Sequence, residues 1–211
     1  MSYKPQVDSS HYERASYRSQ DRWDSYWHQL DLIRTVSPKT VLEVGLGEGV
    51  VADHLKRKGI KVTTVDIAED LQPDVVASVT DMPFKEGEFD VVLAAEILEH
   101  IRFEDVPKAL SEIARVARTH AVISIPHPGY VFSFVFKLPL LPRTALLLKI
   151  PFFWQTHVFN GEHYWELGKR GYSVARFVKL AHDAGLVLER SRSYADDPAH
   201  RFFLFAVNST V

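Results

Sequence analysis

The chain has 211 residues, 46% hydrophobic and 25% charged, an ordinary balance for one domain with its own core. A formal net charge of −2 supplies no basic stripe, so nucleic acid is not an expected partner. There is no cysteine, which excludes disulfides, thiolate metal sites and a cysteine nucleophile and fits a reducing compartment.

Residues 1–19 are polar and aromatic, lack the apolar run of a signal peptide, and read as an arm. From 20 to 36, Trp23, Trp27, Leu30 and Ile33 recur at helical spacing, and Pro38 closes the segment. Short β-branched runs then alternate with helical stretches. Strands are predicted over 40–44, 61–66, 74–77, 89–94 and 120–125, and helices over 50–58 and 104–117. That rhythm predicts a parallel sheet with helices on both faces. After Pro126 the alternation stops, and 127–171 reads as an insertion rich in proline and aromatics. A helix over 173–184 ends at Gly185, and two strands over 186–192 and 202–207 predict an antiparallel pair at one edge.

The expected architecture is a single α/β domain with a Rossmann-like, mostly parallel seven-stranded sheet, an antiparallel C-terminal edge hairpin and a helical, aromatic lid. Residues 1–38 form its arm and cap helix, 39–126 the cofactor-binding core, 127–171 the lid, and 172–211 the last helix and hairpin. The most apolar stretch, 130–154, is interrupted by Lys137, Pro139, Pro142, Arg143 and Lys149, so it predicts no membrane span. A soluble, cytoplasmic protein is expected.

The chemistry concentrates in VLEVGLGEG at 41–49, where a buried strand carrying Glu43 runs into Gly45, Gly47 and Gly49 before a helix. Glycine permits a sharp turn and close ligand approach, and the helix start offers free amide donors. Asp66 ends the next strand about 20 residues on, where a carboxylate can accept both hydroxyls of a ribose. The turn alone is weak evidence and can also be read as a ligand-free strand–helix connection; with Asp66 it points to a nucleoside site.

Together with the TDMPF segment at 80–84, FDVVLAAEILEH at 89–100, ALSEIARVAR and AVISIP, these motifs resemble the class I S-adenosylmethionine-dependent methyltransferases of the methyltransferase domain 11 group. The likeness covers about 40–126. It implies S-adenosyl-L-methionine as cofactor and S-adenosylhomocysteine as product. Glu43, Gly45, Leu46, Gly47 and Gly49 would border the methionine part, Asp66 would hold the ribose and Ile67 would pack on adenine. Ala94 and Glu96 would line the methyl end. Ser78 stands where the family often has an aspartate, which leaves the adenine edge to Ser78, to the backbone near Val79, or to Asp81 beside Met82. The usual Pro-Gly-Gly turn before the fifth strand is absent.

The third glycine falls at the fifth position of the motif, with Val50 where a dinucleotide fold needs glycine. An NAD-type oxidoreductase is therefore the runner-up, and a non-catalytic cofactor-binding subunit the other alternative. The flanks, RWDSYWHQLDLI, GEHYWELGKRGYS and PAHRFFLF, resemble methyltransferases of polysaccharide and glycolipid pathways, which implies a small-molecule, glycan or lipid-linked acceptor.

Transfer to oxygen needs a proton acceptor. His127, directly after the fifth strand, is the first candidate, followed by Glu96 and His100; each histidine is equally readable as a packing residue. His127, His157 and His163 match no compact ligand spacing, so no metal is expected. The apolar insertion is read as a helical subdomain burying Phe132, Phe134, Phe136, Leu138, Leu140, Leu141, Leu146, Leu147, Leu148, Ile150, Phe152, Phe153 and Trp154. The alternative is a membrane-facing patch over 130–154, with Lys137, Arg143 and Lys149 meeting headgroups.

Overall fold

A computed structural model describes Tyr3, residues 19–140 and residues 144–208. The predicted arm, apart from Tyr3 and Ser19, and Leu141, Pro142 and Arg143 of the predicted patch lie outside the described residues.

The alternating runs become α1 (Gln20–Val36), β1 (Thr40–Val44), α2 (Val50–Arg57), β2 (Lys61–Asp66), β3 (Val75–Val76), β4 (Phe89–Ala95), α3 (Val106–Val116) and β5 (Ala117–Pro126). After the insertion come α4 (Val174–Asp183), β8 (Leu186–Arg192) and β9 (His200–Val207). One seven-stranded sheet runs in the order β3-β2-β1-β4-β5-β9-β8. The first five strands are parallel; β9 is antiparallel to β5, and β8 antiparallel to β9 at the edge. The mostly parallel Rossmann-like sheet and its C-terminal edge hairpin are therefore as expected.

Central strands read as unbroken apolar runs because both of their faces are covered. Leu42, Val44, Val92 and Ala94 pack with α3 and α4 residues such as Leu110, Ile113 and Phe177. Their neighbours Val41, Val91 and Leu93 join Leu32 and Ile33 of α1 and Val51 and Leu55 of α2 on the other face. Ser19 and Ser173 cap α1 and α4, each hydroxyl accepting an N–H three residues on. The order of connection reverses between β1 and β4, and the crevice beyond their carboxyl ends is where such sheets bind ligands.

The insertion corrects the helical expectation. It forms a two-stranded antiparallel ribbon, β6 (Gly129–Phe136) and β7 (Thr144–Pro151), paired from Gly129 opposite Pro151 to Phe136 opposite Thr144. Phe132, Phe134 and Phe136 alternate with Val131, Ser133 and Val135, a period of two that suits a strand. The apolar side chains are also not buried: Tyr130, Phe132 and Leu148 are 65%, 61% and 58% exposed. Among the described residues, no helix is long and apolar enough to cross a membrane.

Candidate functional site

The carboxyl ends of β1, β2, β4 and β5 open into a cavity of about 680 Å³. Its floor is the glycine turn. Gly45, Gly47 and Gly49 all take positive φ, and a Cβ on Gly45 would lie 2.0 Å from Ile97 Cδ1. The turn and the second strand tip are tied together. Gly45 N–H donates to the Val65 carbonyl at 2.8 Å, and Leu46 N–H donates to Asp66 Oδ2 at 2.8 Å. Ala68 N–H donates to Asp66 Oδ1 at 2.9 Å, so each oxygen of Asp66 still has a lone pair to offer. Glycine bend and carboxylate thus face one space, as the sequence reading requires.

Glu43, Gly45, Leu46, Gly47, Gly49, Asp66, Ile67, Ser78, Val79, Glu96, His100 and His127 all line this cavity. Asp81, Met82 and Ala94 do not. Asp81 is exposed across a one-residue bridge from Ser78, Met82 packs into the core at 3% exposure, and Ala94 is buried with its neighbour Ala95 at the wall instead.

Glu96 stands at φ 56°, directly beyond β4. Its carboxylate accepts from Arg22 Nη1 at 2.7 Å and Ser25 Oγ at 3.2 Å, both on α1, and pairs with His200 Nε2 at 3.4 Å. His200 in turn bonds Asp197 through Nδ1 at 2.8 Å. Despite burial, His200 and Arg22 hold Glu96 below the usual carboxylate range, while Glu96 and Asp197 raise His200 to about 9. Arg22, Ser25 and His200 are site residues that sequence reasoning missed. Their partner lies 71 to 104 positions away in the chain, and a separation of that kind leaves no local pattern.

His127 is 3% exposed, and neither ring nitrogen has a hydrogen-bond partner. Burial, with Lys149 and Arg201 nearby, pushes it down to about 3, so the ring is neutral at neutral pH. It packs against Gly168, where a Cβ would sit 2.7 Å from Nε2; at φ +83° only glycine is at ease there. Burial also brings His100 down to about 4, and its Nδ1 lies 3.1 Å from the Glu162 carbonyl. The trio His127, His157 and His163 is not what the fold assembles with ligand spacing. Among the described residues that group is Glu99, His100 and His163.

Glu43 is 5% exposed with Oε2 unpartnered, and burial raises it to about 8 against the helping effects of the Ala52 N–H and Lys56, with Asp53 opposing. Between its ordinary 4.5 and about 8 the folded state holds a proton that the unfolded chain has released, so this group makes stability fall as pH rises. Glu43→Gln is expected to flatten that fall and to melt above the wild type at pH 8. Parallel melting curves for the two proteins across the same window would exclude it.

A family model described as a methyltransferase domain matches residues 42–125. Norajmaline N-methyltransferase from Rauvolfia serpentina is 32% identical over 105 residues, 42% of this chain and 35% of that protein. A ubiquinone biosynthesis O-methyltransferase from Bordetella parapertussis is 28% identical over 199 residues, 84% of this chain and 74% of that protein. The chain thus spans about a third of the length of the plant relative and about three quarters of the bacterial one. The fold is similar to that of 1,6-didemethyltoxoflavin-N1-methyltransferase from Burkholderia thailandensis, solved with 1,6-didemethyltoxoflavin and S-adenosylhomocysteine bound. The TM-score is 0.61 at 15% identity, covering 95% of this chain and 87% of that one.

Proposed function

We propose that this chain, whose residues 42–125 match the methyltransferase domain model, binds S-adenosylmethionine in the cavity at the sheet switch point and transfers its methyl group to an apolar, lipid-linked acceptor. The observation that carries the cofactor reading is the direct hydrogen bond between the glycine turn and Asp66, which aims one carboxylate and one set of turn amides at a single nucleoside-sized space. The family match favours methyl transfer over the hydride-transfer alternative.

The residues present fit that cofactor. Asp66 retains acceptor capacity for ribose hydroxyls, Ile67 lies beside it at the wall, and Ser78 with the Val79 backbone is left to read the adenine edge. Glu43, protonated in this setting, can donate as well as accept at the methionine end. The cofactor supplies a methyl group on a sulfonium, a leaving group already built in. The protein's task is then to place the acceptor in line and keep water out, and orientation of this kind is credited with up to roughly 7–11 kcal/mol.

Glu96 is committed to Arg22, Ser25 and His200 and serves as an anchor for α1 over the cavity rather than as a free base. His127, with both nitrogens unengaged at the wall, is the group that meets the acceptor's hydrogen and holds it in line. His127→Ala is expected to lower turnover by roughly 10²-fold or more, with homocysteine-adduct affinity unchanged. Full turnover in that variant removes His127 from the reaction. Calorimetry with S-adenosylhomocysteine and with NAD tests the larger claim, which tight NAD binding without adduct binding would overturn.

The acceptor class rests on the ribbon. Gly129 and Val131 of β6 and Phe152 just beyond β7 line the cavity, while Tyr130, Phe132, Phe134, Leu146 and Leu148 are exposed beside its mouth. Exposed aromatics and leucines next to Lys137 suit the interface of an anionic bilayer, from which a lipid-linked acceptor would enter. The protein is expected to sediment with anionic vesicles at low salt, and Phe132→Ser with Phe134→Ser to abolish it. A protein that stays in the supernatant, or a double variant that still sediments, removes the membrane reading.

A further inference from the structure

We infer that Glu99, His100 and His163 form a three-ligand site for a divalent transition-metal cation, of the Zn2+ type, in the wall of the cavity. One ligand atom from each lies within 4.8 Å of the other two. The imidazole rings of His100 and His163 meet edge to face with centroids 5.1 Å apart. Glu99 is fully buried, neither of its carboxylate oxygens has a hydrogen-bond partner in another residue, and it lines the cavity. A buried carboxylate left in that state is costly unless paired or bound to a cation.

The insertion is held so that this meeting occurs. Tyr164 N–H donates to the Glu99 carbonyl at 2.8 Å, and the Trp165 indole N–H donates to the Leu98 carbonyl at 3.0 Å. These two bonds set His163 over the 99–100 segment. Both rings are also prepared as ligands. Nδ1 of His100 lies 3.1 Å from the Glu162 carbonyl, and Nδ1 of His163 lies 3.1 Å from Glu166 Oε1. A carbonyl and a carboxylate can only accept, so each Nδ1 carries the hydrogen and the lone pair of the neutral ring falls on Nε2. Metal-bound histidines are oriented by outer partners of this kind. Glu166 is itself fixed by Lys169 Nζ at 2.7 Å.

Two imidazoles and one carboxylate suit zinc and neighbouring first-row cations better than magnesium, and three protein ligands leave coordination positions open. Because the trio lines the same cavity as Asp66 and His127, the open positions can take an oxygen of the acceptor. That last step rests on the methyl-transfer reading; the metal site itself does not.

The test is titration of the chelator-treated full chain with Co2+, followed by its visible d–d absorption, and displacement by Zn2+ in a calorimeter. One equivalent is expected to bind. Glu99→Gln and His163→Ala should lose it, Glu166→Gln should weaken it by roughly 10–100-fold, and the exposed His182→Ala should leave it unchanged. X-ray absorption at the zinc edge of the wild type, which needs no variant to fold, should count two imidazoles. Absence of stoichiometric binding, binding untouched in folded Glu99→Gln and His163→Ala, or a zinc without two imidazoles overturns the site. Adduct calorimetry on the same sample separates the two claims: homocysteine-adduct binding without metal binding sinks only the metal site, and metal binding without adduct binding sinks only the cofactor reading.

Discussion

Asp66→Ala is expected to weaken S-adenosylhomocysteine binding by roughly 10²–10⁴-fold while leaving a folded protein. Two hydrogen bonds from ribose hydroxyls to a charged acceptor are worth about 1.5–3 kcal/mol each, and every 1.4 kcal/mol is tenfold in affinity. The same carboxylate also accepts from Leu46 N–H and Ala68 N–H, so its loss loosens the turn that should receive the methionine end. Leu46, half-buried, and Ala68, 5% exposed, both line the cavity, so water there can take over their amides, which limits the stability cost to about 1–2 kcal/mol. Asp66→Asn keeps one acceptor oxygen and should fall between the wild type and the alanine variant. Calorimetry at a temperature well below each melting point separates affinity from unfolding. Wild-type affinity in a folded Asp66→Ala protein would take the carboxylate out of the site and leave the nucleoside reading without its main support.

The frame of the protein was legible because its signals are local. α1, β1, β2 and β8 fall on their predicted bounds, although α1 turns Trp23 and Trp27 of the apolar pattern to solvent and buries Ser25, His28, Gln29, Leu32 and Ile33 instead. β5 begins three residues earlier than its apolar run, since Ala117 already pairs with Phe89 across an irregularity between Phe89 and Val91. The ribbon departs from the helical expectation for a definable reason. Its prolines and apolar content point to a packed subdomain, whereas the alternation of Phe132, Phe134 and Phe136 with smaller residues is the signature of the strand that forms. The turn from Glu43 to Gly49 and Asp66 could be found because motif and spacing lie in one continuous stretch. Arg22 and His200 could not, because each acts on Glu96, a partner that only the folded chain brings near; Glu166 sits three residues from both His163 and Lys169, but that spacing matches no ligand motif that would single it out. The resemblance implies Asp81 and Met82 only through a loop whose usual aspartate is missing here, and the fold turns one to solvent and the other into the core.

Arg22→Met should cost about 2–3 kcal/mol of stability, or roughly 4–12 °C in melting temperature. Removing one partner of a buried ion pair leaves the other charge uncompensated, which commonly costs about 3–5 kcal/mol; the lower figure applies here because this pair is only partly buried and His200 remains beside Glu96. Since Arg22 ties α1 to the end of β4, the variant should also loosen the wall of the cavity and weaken adduct binding. The pH dependence identifies the second partner. His200 is raised from 6.5 to about 9 in the fold, so its contribution is fully present below 6.5 and is lost as pH climbs through about 9. Glu96 is lowered from 4.5, so its contribution is present above that value and fades as pH falls beneath it. His200→Gln should therefore approach the wild type in melting temperature near pH 9 and fall furthest below it near pH 6.5. Glu43→Gln also gains on the wild type as pH rises, but over the lower window from 4.5 to about 8, and it ends above the wild type rather than level with it. If the difference between His200→Gln and the wild type is the same at both ends of that range, the imidazolium is not what balances Glu96. The charge of Glu96 would then be balanced from α1, by Arg22 with the Ser25 hydroxyl.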